Sequence, residues 1–325
     1  MKTEVLKTVL LLALPASGKS EVRHLLANID PERLKRDFHI GENFQLDDFP
    51  YVHFMRRIDE ELVKLGEPRI FYPSNEQPFV DDRDWGTLIH LLNADYHDLM
   101  NRVHVEARSM ARWLFDRIDR ASLANGMEPR IALLTSELRG ELARALDDEA
   151  AEVRALLESQ YSDSYHGKTL VVECARGGAD GAEMPLTGGH GYLYSLSRLT
   201  PDLLEDAVIL YIWVTPEESR RKNEARANPD DPGSNLFHGV PLPVMLGDYG
   251  VCDMPYLIEQ SDQENTIRVE AHGRVYHLPI GVFDNREDKT SFLRDDPEAW
   301  DPALLDEVSE AIRQATESMW ELYSA

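Results

Sequence analysis

Residues 8–20 read TVLLLALPASGKS, and this stretch limits the fold more than any other. The apolar run over residues 9–14 fits a strand buried on both faces, as inside a parallel sheet. A turn of small residues follows, Pro15-Ala16-Ser17-Gly18-Lys19-Ser20, and then Val22, Leu25 and Leu26 take up helical spacing. Strand, turn, Gly-Lys-Ser and helix, in that order, is the setting of a phosphate-binding loop. Backbone N–H groups over residues 16–19 can form an anion nest at a helix N-terminus. Gly18 lets the main chain approach a phosphate closely. Lys19 is expected to bridge β- and γ-phosphates and the Ser20 hydroxyl to hold Mg²⁺. Pro15, Ala16, Ser17 and Glu21 complete the expected nucleotide-binding set. Ala13 stands where the G-x-x-x-x-G-K-[ST] pattern has its first glycine, a position that tolerates a small residue. The alternative is a chance Gly-Lys-Ser at an ordinary strand–helix turn.

A chain of 325 residues can form one large α/β domain with an insertion, or two domains. Its formal charge of -25 argues against a broad grip on a nucleic-acid backbone or an anionic membrane, but leaves room for a local basic pocket. The two cysteines, Cys174 and Cys252, imply no disulfide framework and fit a reducing cytosol. The first apolar run leads straight into the loop without a small-residue cleavage site, unlike a signal peptide. No apolar run approaches the roughly 20 residues that span a bilayer.

Further along, residues 44–50 (FQLDDFP) read as a short second strand ending in the paired carboxylates Asp47-Asp48. Ligands of open parallel sheets bind at the strands' carboxyl ends, so this pair is expected beside the loop. A carboxylate there can accept the proton of an attacking hydroxyl or orient Mg²⁺ through water; otherwise the pair is a solvated turn or a helix cap. Helical spacing dominates residues 51–166, too long a stretch for a plain crossover, and marks a helical insertion. Within it, residues 81–85 (DDRDW) could face substrate or simply start a solvated helix. His90, His97 and His104 recur every seven residues. That spacing does not converge on one ion, so surface or half-buried histidines are the expectation.

Residues 169–178 (TLVVECARGG) read as a central parallel strand carrying Glu173 and Arg176 at its end. Glu173 is placed to hold the Mg²⁺ water shell, and Arg176 to pair with a substrate anion or transferring phosphoryl group. An internal Glu173–Arg176 salt bridge is the alternative. Residues 208–214 form a fourth strand; Thr215 then caps a helix with Pro216 at its first position. That helix carries Arg220, Arg221, Lys222 and Arg226, a cationic set suited to a lid over phosphates, or to Glu–Arg pairs on a solvated face. Asp248-Tyr249 and Asp253 could line a site. Residues 274–282 read as a fifth parallel strand, with residues 266–269 paired to it through a His272-Gly273 hairpin. Asn285 is then expected at a strand end beside a purine ring, and residues 302–323 as a closing amphipathic helix.

The order of these elements resembles the P-loop nucleoside/nucleotide kinase group, which includes uridine and nicotinamide riboside kinases, polynucleotide kinases and adenylate-type kinases. The resemblance covers the strands and not residues 51–166. It implies a P-loop NTPase fold with a five-stranded parallel sheet flanked by helices, divided into a core of residues 1–50 and 167–325 and a helical insertion of residues 51–166. It implies that Asp47, first of the Asp-Asp-Phe run, is the base, with Asp48 its neighbour, and that Arg220, Arg221 and Arg226 are lid arginines. The expected activity is transfer of the γ-phosphoryl group of ATP, with Mg²⁺, to a hydroxyl of a small metabolite, nucleoside or nucleotide. Two other readings stay open. One is an ATPase or nucleotide switch, with Glu173 polarising water and the insertion binding a protein partner. The other is a nucleotide-binding scaffold without turnover.

Overall fold

The computed structural model describes residues 4–226 and 239–325. The elements run β1 (Thr8–Leu12), α1 (Lys19–Asn28), α2 (Pro31–Phe38), β2 (Glu42–Asp47), α3 (Phe49–Lys64), α4 (Asp84–Asn101), α5 (Met110–Ala124), α6 (Ser136–Glu158) and β3 (Lys168–Cys174). After these come α7 (Gly191–Leu196), α8 (Pro201–Asp206), β4 (Ala207–Trp213), α9 (Pro216–Arg226), α10 (Leu242–Gly247), α11 (Met254–Gln260), β5 (Thr266–Ala271), β6 (Arg274–Asp284) and α12 (Pro302–Tyr323). The fold is α/β, with one mostly parallel sheet in the order β2-β3-β1-β4-β6-β5.

β1 lies inside the sheet, parallel to β3 on one side and β4 on the other, which is why its five residues are all buried. Side chains alternate across it. Val9 and Leu11 face a layer containing α1, α2 and α12. Leu10 and Leu12 face a layer built from α4, α7, α8 and α11. The sheet has six strands rather than five. The sixth, β5, is antiparallel to β6 at the edge, joined by His272 (φ 52°) and Gly273 (φ 71°). Two consecutive left-handed residues are what a tight two-residue hairpin requires.

Between β2 and β3 lie α3 to α6. They share a core that includes Phe54, Ile58, Leu114, Ile118, Leu142 and Leu146 and also takes in Leu14, Val214, Val244 and Tyr249 from outside the insertion. α4 serves both layers: Leu88 and Leu91 enter this core, and Ile89 and Leu92 pack on the sheet side. Residues 131–134, an ambiguous apolar piece in the sequence, form a turn. His97 and His104 are exposed beside Asp98 and Glu158, and no group of three metal-ligating side chains occurs among the described residues. No described helix is long and apolar enough to cross a membrane.

The helices are locked by a buried polar network. Arg117 donates to Asp95 at 2.6 Å and to Asp98 at 2.9 Å. Arg154 donates to Asp98 at 2.8 Å and to Glu158 at 2.7 Å, and Tyr51 Oη to Asp95 at 2.7 Å. Both guanidinium groups also lie over the Trp113 ring, at 5.1 and 5.2 Å. Removing one cation from such a network strands carboxylates in a place water does not reach. Arg117→Met should therefore cost about 3–5 kcal/mol. Arg102→Ala, at an exposed pair with Asp163, should stay within about 0.5 kcal/mol. Urea unfolding at neutral pH measures both, and equal losses would show that the network is not what holds these helices.

Candidate functional site

The loop of residues 13–18 leaves the carboxyl end of β1 and turns into α1. Its path needs two left-handed residues, Ala16 at φ 55° and Gly18 at φ 104°. Two buried side chains pin its carbonyls from behind. Ser219 Oγ, from the first turns of α9, donates to the Pro15 carbonyl at 2.7 Å. Asn285 Nδ2, just past β6, donates to the Ser17 carbonyl at 2.6 Å. Both residues are 0% exposed. In a trans peptide the N–H points opposite to the C=O. Pinning these two carbonyls therefore turns the N–H groups of Ala16 and Gly18 the other way, as an anion nest requires. Gly18 has no substitute here: a Cβ would sit 2.4 Å from Thr290 Oγ1 and 2.8 Å from Asn285 Nδ2.

The acids come from the other side of β1. β2 pairs with β3 so that Asp47 is the register partner of Glu173. Both line one cavity of about 690 Å³ with Pro15, Ala16, Ser17, Gly18, Lys19, Ser20 and Glu21. Arg23 of α1 donates to Glu173 Oε2 at 2.6 Å. Lys19 Nζ makes a long bond, 3.3 Å, to the Ala13 carbonyl. Glu21 is buried and accepts from Arg294 at 2.6 Å. Asp48 is held by Arg176, Nη2 to Oδ2 at 2.6 Å. Asp47 alone of the three strand-end acids has no cation against it; its carboxylate accepts from the Phe49 N–H at 2.9 Å. Burial, then the charges of Glu173 and Asp48, push its pKa up to about 7, against the pull of the Phe49 N–H and of Lys19. That value suits a group that takes up a proton near neutral pH.

The chain matches no protein-family model, no curated protein and no solved structure. What the cavity does must be read from its own atoms. Several expected site residues sit elsewhere. Arg176 is 1% exposed and fully engaged, with Asp48, with Ser195 Oγ at 2.9 Å and with the Trp85 ring at 4.7 Å. It positions Asp48 rather than meeting a substrate, and its partner is not Glu173. Asn285 clamps the loop's back and does not line the cavity. Arg220 and Arg221 also lie outside the cavity lining. They pair with Glu217 at 3.3 Å and Glu218 at 2.7 Å on their own helix, and also approach Asp180 at 3.7 Å and Asp288 at 3.4 Å. Lys222 is buried against Asp288 at 2.7 Å. The side chain of Arg226 lies outside the described residues. Asp253 caps α7 through the Tyr192 and Leu193 N–H groups.

The cavity continues past Asp47 into an arm lined by Phe49, Arg56, Tyr72, Phe79, Trp85 and Tyr249. Arg23, Arg56, Tyr72 and Phe79 carried no sequence signal, because they meet only when the insertion folds back on the loop. Cys174 also lines the cavity, but burial pushes its thiol up to about 12, which removes it as a nucleophile.

The raised pKa of Asp47 carries a stability consequence. A carboxyl whose folded pKa exceeds its unfolded value favours the folded state at low pH. That contribution is lost as pH rises through about 7. Asp47→Asn should therefore raise stability by roughly 1–3 kcal/mol at pH 8 and change it little at pH 4. Thermal or urea unfolding at the two pH values measures this; a destabilised variant at pH 8 would mean the acid is not strained.

Proposed function

We propose that this protein is a kinase of P-loop type that transfers the γ-phosphoryl group of ATP to a hydroxyl of a small molecule. The observation that carries this reading is the meeting of two carboxylates from adjacent strand ends with the Gly18-Lys19-Ser20 turn in one cavity. The pinned loop offers N–H groups and Lys19 to the phosphates. Ser20 and Glu173 are the residues that would hold Mg²⁺, whose bound form neutralises charge on the phosphates; one hydroxyl and one carboxylate suit an ion that keeps most of its water. Asp47 is the base. It takes the hydroxyl proton while the acceptor oxygen bonds to the γ-phosphorus and the bridge to the β-phosphate breaks, leaving ADP. Arg176 fixes Asp48, and the Asp48 charge in turn keeps Asp47 basic.

Three variants test the assignment. Lys19→Ala should weaken ATP binding or abolish turnover with the fold intact. Asp47→Asn should cut transfer by roughly 10²- to 10⁴-fold with nearly unchanged MgATP affinity. Glu173→Gln should alter the Mg²⁺ dependence. If Glu173→Gln abolished ATP hydrolysis in water while Asp47→Asn behaved as the parent, the protein would be a switch ATPase and not a kinase.

A further inference from the structure

The charges that line the cavity largely cancel. Glu21 pairs with Arg294, Asp48 with Arg176 and Glu173 with Arg23, each at 2.6 Å. Glu60 pairs with Arg57, and Asp248 with His190 at 3.4 Å. Lys19 and Arg56, in the same lining, meet no carboxylate at ion-pair distance among the described residues. Lys19 belongs to the phosphate loop. Arg56 stands on α3, two helical turns past Phe49, or about 10 Å along the axis. Acids outnumber bases 59 to 34 in this chain, yet none is set against this arginine. Its guanidinium lies 3.8 Å from the Tyr72 ring centre. It donates to the carbonyls of Ser74 at 3.3 Å, Asn75 at 2.7 Å and Gln77 at 3.4 Å. A ring and three neutral oxygens hold the group still without cancelling its charge. Of five N–H donors, two on Nη1 and one on Nη2 are used in this way. The Nε–H and the second N–H of Nη2 carry no bond among the described residues, and such a pair suits two oxygens of a carboxylate or phosphate.

We infer that Arg56 binds an anionic group of the acceptor, a carboxylate or a phosphate, so that the cavity takes a hydroxyl compound that already carries negative charge. This rests on the kinase reading for the fate of the hydroxyl, not for the binding of the anion. His53, one turn before Arg56 on α3 and also in the lining, is placed to add a second donor. The Tyr72 ring is itself fixed, stacked on Phe79 at 4.4 Å. The guanidinium above it is therefore held in place before a ligand arrives, and little side-chain freedom is lost on binding.

The test is equilibrium calorimetry on the full chain. The probes are matched pairs, each an anion with an uncharged counterpart: AMP and adenosine, UMP and uridine, 3-phenyllactate and 3-phenylpropane-1,2-diol. Two of the anions are phosphates and one is a carboxylate, so the preferred pair identifies the anionic group. At least one anion should bind saturably and at least roughly 10-fold more tightly than its counterpart, as hydrogen bonds to a charged group require. Arg56→Gln should erase that preference, a loss of roughly 10- to 100-fold for the anion, and leave the affinity of the counterpart unchanged. Arg56→Lys keeps the charge without the fork and should lose only roughly 3- to 10-fold. Lys19→Ala should keep the preference. Equal binding within every pair, or no binding by any anion, would overturn the inference. So would anion affinity unchanged in both Arg56 variants, or equal losses in the two, which would make the arginine a clasp for residues 74–77. A preference removed by Lys19→Ala and kept by Arg56→Gln would place the anion on the loop instead. If the anion binds through Arg56 and MgATP does not phosphorylate it, the kinase reading fails and the Arg56 site stands.

Discussion

Two hydrogen bonds hold the loop at the mouth of the cavity in place: Ser219 to the Pro15 carbonyl and Asn285 to the Ser17 carbonyl. The loop they restrain is costly. Ala16 sits in left-handed space, worth about 1–2 kcal/mol against a residue with a Cβ. Each buried hydrogen bond returns a net ~0.5–1.5 kcal/mol, and losing one partner would leave a buried carbonyl unsatisfied at ~1–3 kcal/mol. The two bonds together are therefore of the size needed to offset the strain, with Asn285 further fixed by Thr290 and by the Lys289 N–H. Without them the peptide dipoles at residues 15–18 would have no reason to face one way.

On the other flank, the strand-end acids are sorted by their partners. Glu173 has Arg23 and Asp48 has Arg176; Asp47 has no cation against it and bears the repulsion of both. Burial raises the Asp47 pKa first and the charges of Glu173 and Asp48 add to it, which brings a plain aspartate to about 7. Arg176 thus matters through Asp48, without reaching the cavity.

Much of the frame was legible in the sequence because it rests on local rules. The run of apolar residues before Gly-Lys-Ser dictates a doubly buried strand, and Thr215-Pro216 marks a helix start; the Thr215 cap is formed. The hairpin at His272-Gly273 and the closing helix follow from the same logic. What sequence could not supply is who meets whom. Arg176 follows Glu173 by three residues, yet its partner is Asp48, 128 positions away in sequence. Asn285 is at the strand end that its position predicts, but its amide turns inward to the loop. Arg220 and Arg221 of α9 find glutamates one turn away, a local pairing for a long cation. The aromatic lining is the least legible part, because Tyr72 and Phe79 come from an irregular stretch with no periodicity to read.

The sheet divides its labour about β1. Strands on one side, β2 and β3, supply the acids and bracket the insertion that forms the aromatic arm. Elements following strands on the other side, β4 and β6, supply Ser219 and Asn285, which brace the loop, and the segment after β4 also lends Val244, Asp248 and Tyr249 to the cavity lining. Change can therefore accumulate in the two halves separately. Substitutions among α3 to α6 can reshape what enters the arm while leaving the loop's posture alone, because none of its braces comes from there. Loss of Ser219 or Asn285 would act in the opposite sense, loosening the loop while the acids of β2 and β3 stay in place. Lineages carrying this architecture would be free to drift in what they accept, yet be tightly constrained at two inconspicuous residues far from it.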